Sequence, residues 1–407
     1  MVCEPTVQDR FERINMLKLE ETGWMQAIAF ATMLVSSIAI LWYSLANPID
    51  NWDMLAYAGS VLSLGDTDPI ALHAAVYSEM QAFTSEAQFE ALTESTPYRT
   101  AMYEDAAAFS QQIPFFKIRA LFVWMLWAAT QTGLGAYEAM HLLSAGFTSA
   151  AFFIAYLAFR KHVHSLFWVI SPYLYYEFTQ SLYVPRSGGV DSLSFFWVAL
   201  ICIAYVKHRR VLLPLLAVSV LVRTDLILFI APLFLLLFLE DRSTWRQLLF
   251  WGITTIALYL GVNNWAGNYG WHTVVYYAFV TDMQATHPEI YSNYRISLSE
   301  YLNFLIEPRY WINNWFWVGL GAAIAAVPLF HFKIGWISLK GNTTSHQMQR
   351  LVIIGAVCLL YSVAHHLLFP AIFMRFFFGH CLLMVIVLMS VLTLITSPQY
   401  ESNPLAH

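Results

Sequence analysis

Repeated apolar runs of about 20 residues limit this chain more than any other feature, because a segment of that length spans bilayer hydrocarbon as a helix with every backbone polar group paired internally. The first run is Met25 to Ala46, and further runs recur to residue 396. Hydrophobic residues make up 58% of the 407 and charged residues 12%, with a mean hydropathy of +0.55. An ordinary soluble domain carries about a quarter charged residues. The expectation is therefore an all-α polytopic membrane protein. The formal net charge of -5 and the scattered basic residues give no basis for a nucleic-acid partner. Aromatic residues reach 16%, with 15 Trp and 22 Tyr, which fits interfacial belts and a carbohydrate-facing cleft. Cys202, Cys358 and Cys381 lie inside apolar runs and Cys3 in the N-terminal tail, so neither a disulfide framework nor a Cys-based zinc site is expected.

Positive charge sets the expected topology, since Lys and Arg favour the cytoplasmic side. The tail 1–24, with Arg10, Arg13 and Lys18, is placed inside, and 25–46 is read as an uncleaved anchor running outward. Residues 47–136 form an outer loop whose 47–114 portion has ten acids and one basic residue, Arg99. IALHAAVYSEMQAF and QFEALTES there carry apolar residues at helical spacing and suit the membrane surface. The run Phe115 to Thr132 is read as lying flat on that surface, because this arrangement leaves 13 of the 21 Lys and Arg cytoplasmic.

Residues 137–264 then form the central membrane helices, with a Pro/Gly turn, VPRSGGVD, holding Arg186 and Asp191. The run Val211 to Leu239 carries Arg223-Thr224-Asp225 at its middle and basic pairs at both ends. A straight helix breaks the charge rule, so the expectation is a re-entrant hairpin with legs of about 20 Å. Residues 265–310 form a second outer loop with His272, Asp282, His287, Arg295 and Arg309. Residues 311–407 hold the last membrane helices and the C-terminal tail, and the short outer turn FPAIFMRFF carries Arg375 beside His365 and His366. About nine or ten membrane helices are expected in all, counting the hairpin.

An acid just after the first helix, a long outer loop of surface helices, and then a helix ending in Arg160-Lys161 resemble the layout of the GT-C superfamily of integral-membrane glycosyltransferases. The run LLAVSVLVRTDLILFIAPLFLLLF, with Pro232 in its second leg, resembles a hairpin that recurs there. The resemblance covers roughly residues 25 to 265 and rests on architecture and short motifs. It implies transfer of a sugar from a polyprenyl-phosphate donor to a lipid, glycan or protein acceptor, at the outer face of a membrane, here a bacterial inner membrane. By position Asp53 looks like the catalytic acid of the first loop, with Asp50 its substitute. The loop has no Asp-x-Asp, which leaves metal dependence open, and Ile113-Pro114-Phe115 lacks the family's usual His-Pro-Pro or Pro-Pro-Leu.

Glycosyl transfer from a lipid phosphate needs a base for the acceptor hydroxyl, which a carboxylate supplies. It also needs cations for the departing phosphate, where the Arg fork suits the oxygens best. Candidate substrate-binding residues are Arg186, Arg223, Asp225, His272 and Arg375. Each also has a structural reading: Asp50 and Asp53 as cap and loop acids, Arg223 with Asp225 as a mutual ion pair, Arg186 with Asp191 as a turn pair, Arg375 as a snorkelling cation. The alternative function is a transporter or flippase for a lipid-linked saccharide that uses the same cavity without chemistry. A third, an assembly subunit, requires Asp53 and Arg223 to be replaceable.

Overall fold

The computed structural model describes residues 22–65, 68–178, 182–306, 343–370 and 374–396, and it is helical throughout, with no strand among them. Among the described residues three helices are long and apolar enough to cross a membrane: α1 (Gly23–Ala46), α9 (Ala136–Phe159) and the part of α18 (Thr343–Leu368) from Gln349. Most of the N-terminal tail, Arg309, the 311–342 part of the expected C-terminal membrane segment, and the C-terminal tail lie outside the described residues.

Spacing explains which faces meet. In α1 the buried residues Ala29, Met33, Ser37, Ile40 and Ser44 recur every three or four positions, while Val35, Ile38 and Trp42 on other faces are exposed. α9 buries a stripe of small residues, Ser144, Thr148, Ala151, Ala155 and Ala158, which at Ser144 and Thr148 meets Gly189 and Ser192, while Ser149, Phe153 and Tyr156 meet α1. Small side chains let helix axes approach closely, and this matters in lipid because no hydrophobic force drives helices together there. The hydroxyl of Ser149 donates to the Ser37 carbonyl at 2.6 Å, and Thr148 donates to Ser192 at 2.9 Å. From α9 the packing continues through α12 (Asp191–Lys207), which also touches α13 (Arg209–Val222), α18 and α19 (Met374–Thr396). α10 (Ser165–Phe178) packs on α1 at Met33, where Ser171 meets the sulfur, and on α9 through Tyr156–Trp168 and Phe152–Tyr175.

Between α1 and α9 run seven short helices: α2 (Trp52–Leu62), α3 (Pro69–Phe83), α4 (Glu86–Thr93), α5 (Pro97–Glu104), α6 (Ala106–Ser110), α7 (Ile113–Lys117) and α8 (Ala120–Thr130). Their starts follow from side chains that accept the first free N–H groups: Asp68 before α3, Ser85 before α4, Thr96 before α5 and Asp105 before α6. The Phe115 to Thr132 segment, read from sequence as one flat piece, is broken at Ile118–Arg119. The helical stretches on either side of that break are bent by 109°. Arg119 sits at the break and its guanidinium donates to the Phe115 carbonyl.

The apolar run around Arg223 is also broken. α13 ends at Val222, a single 3-10 turn covers Thr224–Leu226, and α14 (Ile227–Glu240) follows. α13 packs on α15 (Trp245–Ala266) and α14 on α18. The second inter-span segment contains α16 (Trp271–Val275), a π turn and α17 (Leu298–Ile306).

Between α11 (Tyr183–Arg186) and α12 the chain turns at Gly188 with φ +63, and a Cβ there would meet Met54 at 3.0 Å. Gly188→Ala therefore combines a left-handed backbone with a close approach. It is expected to destabilise the protein by roughly 1–3 kcal/mol, read as a lower unfolding midpoint in detergent, and an unchanged midpoint counts against the strain.

Candidate functional site

The start of α2 is sewn to the α11–α12 turn by one backbone bond and two from side chains to carbonyls. Ile49 N–H donates to the Arg186 carbonyl at 2.9 Å, Arg186 Nε to the Asn47 carbonyl at 2.6 Å, and Asn51 Nδ2 to the Ser187 carbonyl at 2.5 Å. These contacts bring the first turn of α2, which carries Asp53, beside the first turn of α12, which carries Asp191.

From there a chain of alternating charges runs inward. Arg375 Nη1 donates to Asp53 Oδ2 at 2.8 Å, and its Nε lies 3.8 Å from Asp191 Oδ2. The other oxygen of Asp191 accepts from Arg223 Nη1 at 2.6 Å. Arg223 grips Asp225 with two parallel bonds, Nε to Oδ1 at 3.0 Å and Nη2 to Oδ2 at 2.8 Å. Asp225 Oδ2 also receives Tyr361 Oη at 3.2 Å and faces His365 Nε2 at 3.1 Å. Side-chain exposure falls from 31% at Asp53 to 6% at Arg223 and rises again to 21% at Asp225. Paired charges and fork-type bonds are what make such burial tolerable.

All these carboxylates and guanidiniums, with His365, line one cavity of about 540 Å³. Its walls also include Trp52, Tyr98, Phe115, Phe116 and Tyr277, and the rings of Trp52 and Tyr98 are 5.3 Å apart. Counting His365 as neutral, three carboxylates face four guanidiniums, Arg99, Arg119, Arg223 and Arg375, leaving one positive charge in excess. Arg99 bonds to the Ala91 carbonyl and Ser95, while Arg119 bonds to the Phe115 carbonyl and lies over the rings of Tyr57 and Phe116. Neither meets a carboxylate among the described residues. The cavity thus combines a half-exposed acid, two arginines without acid partners, and aromatic faces suited to sugar rings.

Burial pushes the Tyr277 phenol up to about 12 despite its bond to Tyr98, and burial with the neighbouring Tyr277 holds Tyr98 well above the usual range. Both phenols keep their protons more tightly folded than unfolded. Their contribution is whole below the unfolded value near 10 and is lost as pH rises towards 12. Thermal stability in detergent is accordingly expected to decline across that window, and the decline should shrink in a Tyr98→Phe, Tyr277→Phe double variant. An identical pH profile in that variant excludes these phenols as the cause.

No protein-family model, curated protein or solved structure matches the chain. Among the described residues no group of three or more His, Cys, Asp or Glu is arranged to hold a metal ion.

Of the residues singled out from sequence, Asp53, Arg223, Asp225 and Arg375 come together in the cavity wall. Asp50, expected as a second catalytic acid, instead meets His141 Nε2 at 2.9 Å with both side chains 6% exposed, away from that wall. The expected turn pair of Arg186 with Asp191 is not formed: Arg186 is held by the Asn47 carbonyl and lies over Tyr43, and Asp191 belongs to Arg223 and Arg375. His272 also lies off the wall, where its Nδ1 accepts from Ile296 N–H at 3.4 Å. His365, beside the outer turn in sequence, is the ring that faces Asp225. Arg99 and Arg119 were visible as the lone cation of an acidic segment and as a charge opening an apolar run, yet sequence gave no sign that they share a cavity with Asp53.

Proposed function

We propose that the chain is a GT-C-type membrane glycosyltransferase that moves a sugar from a polyprenyl-phosphate donor to an acceptor on the outer side of the membrane. The observation that carries this reading is the placement of Asp53, directly after the first span, in a half-open cavity with excess guanidinium charge and aromatic walls. In the proposed reaction the acceptor hydroxyl gives its proton to Asp53 while its oxygen attacks the anomeric carbon. The bond from that carbon to the phosphate oxygen breaks, and the electron pair leaves on the prenyl phosphate. An anionic leaving group needs no general acid, only cations. Arg119 and Arg99 suit that task, because Arg375 is already engaged by Asp53 and Asp191. On the same reading α13 and α14 form a re-entrant hairpin whose turn carries Arg223 and Asp225 from the cytoplasmic side to the cavity floor.

The test is a transfer assay on purified protein in nanodiscs, with a panel of polyprenyl-phosphate sugars and detection of released prenyl phosphate. Release that requires both the protein and an acceptor supports the reading. Donor carried intact across the bilayer of sealed proteoliposomes, with no release in either preparation, turns it into the flippase. Arg119→Gln is expected to weaken binding of a prenyl phosphate by about ten-fold, the scale of one charge-assisted bond pair. Unchanged affinity, by titration of Trp fluorescence, removes Arg119 from the phosphate site.

A further inference from the structure

Asp191 is the one carboxylate that touches both arginines of the buried charge series. Its Oδ1 accepts from Arg223 at 2.6 Å and its Oδ2 lies 3.8 Å from Arg375 Nε. Arg223 is otherwise committed to Asp225 through two bonds, and Asp225 is closed off in turn by His365 and Tyr361. The inner half of the series therefore has no free fork to offer a ligand. Arg375 stands 30% exposed between two acids, with the shorter contact, 2.8 Å, to Asp53.

We propose that Asp191 is a positioning residue that sets how tightly Arg375 holds Asp53, so that Arg223 and Asp225 act on the reaction through it and do not contact the substrate. The proposal rests on the glycosyltransferase reading and specifies how its base is governed. With Asp191 charged, Arg375 is shared, and Asp53 keeps enough freedom to accept a proton. With Asp191 neutral, the pull on Arg375 from that side is gone and it binds Asp53 more fully, while the cavity gains a second excess positive charge.

The two consequences have opposite signs, which a merely structural role does not produce. Asp191→Asn keeps the shape and an acceptor oxygen for Arg223. It is expected to bind a prenyl phosphate several-fold to about ten-fold more tightly, because one nearby negative charge has gone. Sugar transfer is expected to slow by about ten-fold or more in the same preparation, and Asp191→Glu should restore both values towards wild type. Loss of both binding and transfer in folded protein, or no change in either, overturns the proposal.

Should Asp191→Asn fail to fold, the opposite change serves. The charge-neutral double variant Arg223→Gln, Asp225→Asn leaves Asp191 to act on Arg375 alone and the cavity's net charge unchanged, so prenyl-phosphate affinity is expected to hold while transfer stays at the wild-type rate or rises. A loss of transfer of ten-fold or more in folded protein rejects the proposal. Wild-type protein that neither binds a prenyl phosphate nor transfers a sugar removes the underlying reading instead, which separates the two failures.

Discussion

Asp53→Asn is expected to reduce sugar transfer by roughly 100-fold or more, the usual worth of a positioned proton acceptor, while expression and donor binding stay near wild type. The side chain is 31% exposed, at the cavity wall rather than in the packed interior, so an isosteric amide there leaves little unsatisfied. Its partner Arg375 keeps Asp191 at 3.8 Å, so no guanidinium is stranded. Removing one carboxylate also leaves the cavity more positive, so a phosphate-bearing donor should bind at least as well as before. The same substitution at Asp50 should behave in the opposite way. That acid is buried against His141 and off the cavity wall, so Asp50→Asn is expected to lower the unfolding midpoint with transfer nearly intact. Transfer at the wild-type rate by monodisperse Asp53→Asn protein would remove Asp53 as the base and put the transporter reading first.

Features that one segment sets alone were legible in the sequence. A run of apolar residues has few alternatives to a helix, and Met25 to Ala46 and Tyr137 to Phe159 were placed within two residues of the observed α1 and α9. The break at Arg223 was equally readable, since two charges inside an apolar run must either end the helix or find partners. Partners across the sequence were not legible. Arg375 and Asp53 are 322 positions apart, and only packing of α19 on α12, together with the bonds from Asn47 and Asn51 to the α11–α12 turn, brings them together. The same bonds explain why Arg186 and Asp191, close in sequence, do not pair: the turn at Gly188 points them at different neighbours. Arg119 was hidden for another reason. The Phe115 to Thr132 run was treated as one element, and the 109° bend that turns this guanidinium towards the cavity depends on contacts with α2 and α13.

Arg223→Leu is expected to abolish folding or nearly so, by the roughly 3–5 kcal/mol that follows from removing one partner of a buried charge network. Against a total stability of about 5–15 kcal/mol, that loss exhausts much of the margin. The physical reason is what stays behind. Asp191 would retain only Arg375 at 3.8 Å, and Asp225 only His365 and Tyr361. Asp191 is 7% exposed and has little water to turn to. Removing an acid instead should be milder, because Arg223 has two carboxylate partners. Asp225→Asn leaves the 2.6 Å bond to Asp191 and an acceptor oxygen of its own, so a loss of about 1–2 kcal/mol is expected. The neutral pair Arg223→Leu, Asp225→Leu should recover part of the loss from the single Leu substitution, since Asp191 can then turn wholly to Arg375. Monodisperse yield and the unfolding midpoint in detergent measure all three variants. A wild-type yield for Arg223→Leu would mean that water or lipid headgroups reach Asp191 and Asp225, and the buried series could then not be what holds α12, α13 and α18 together.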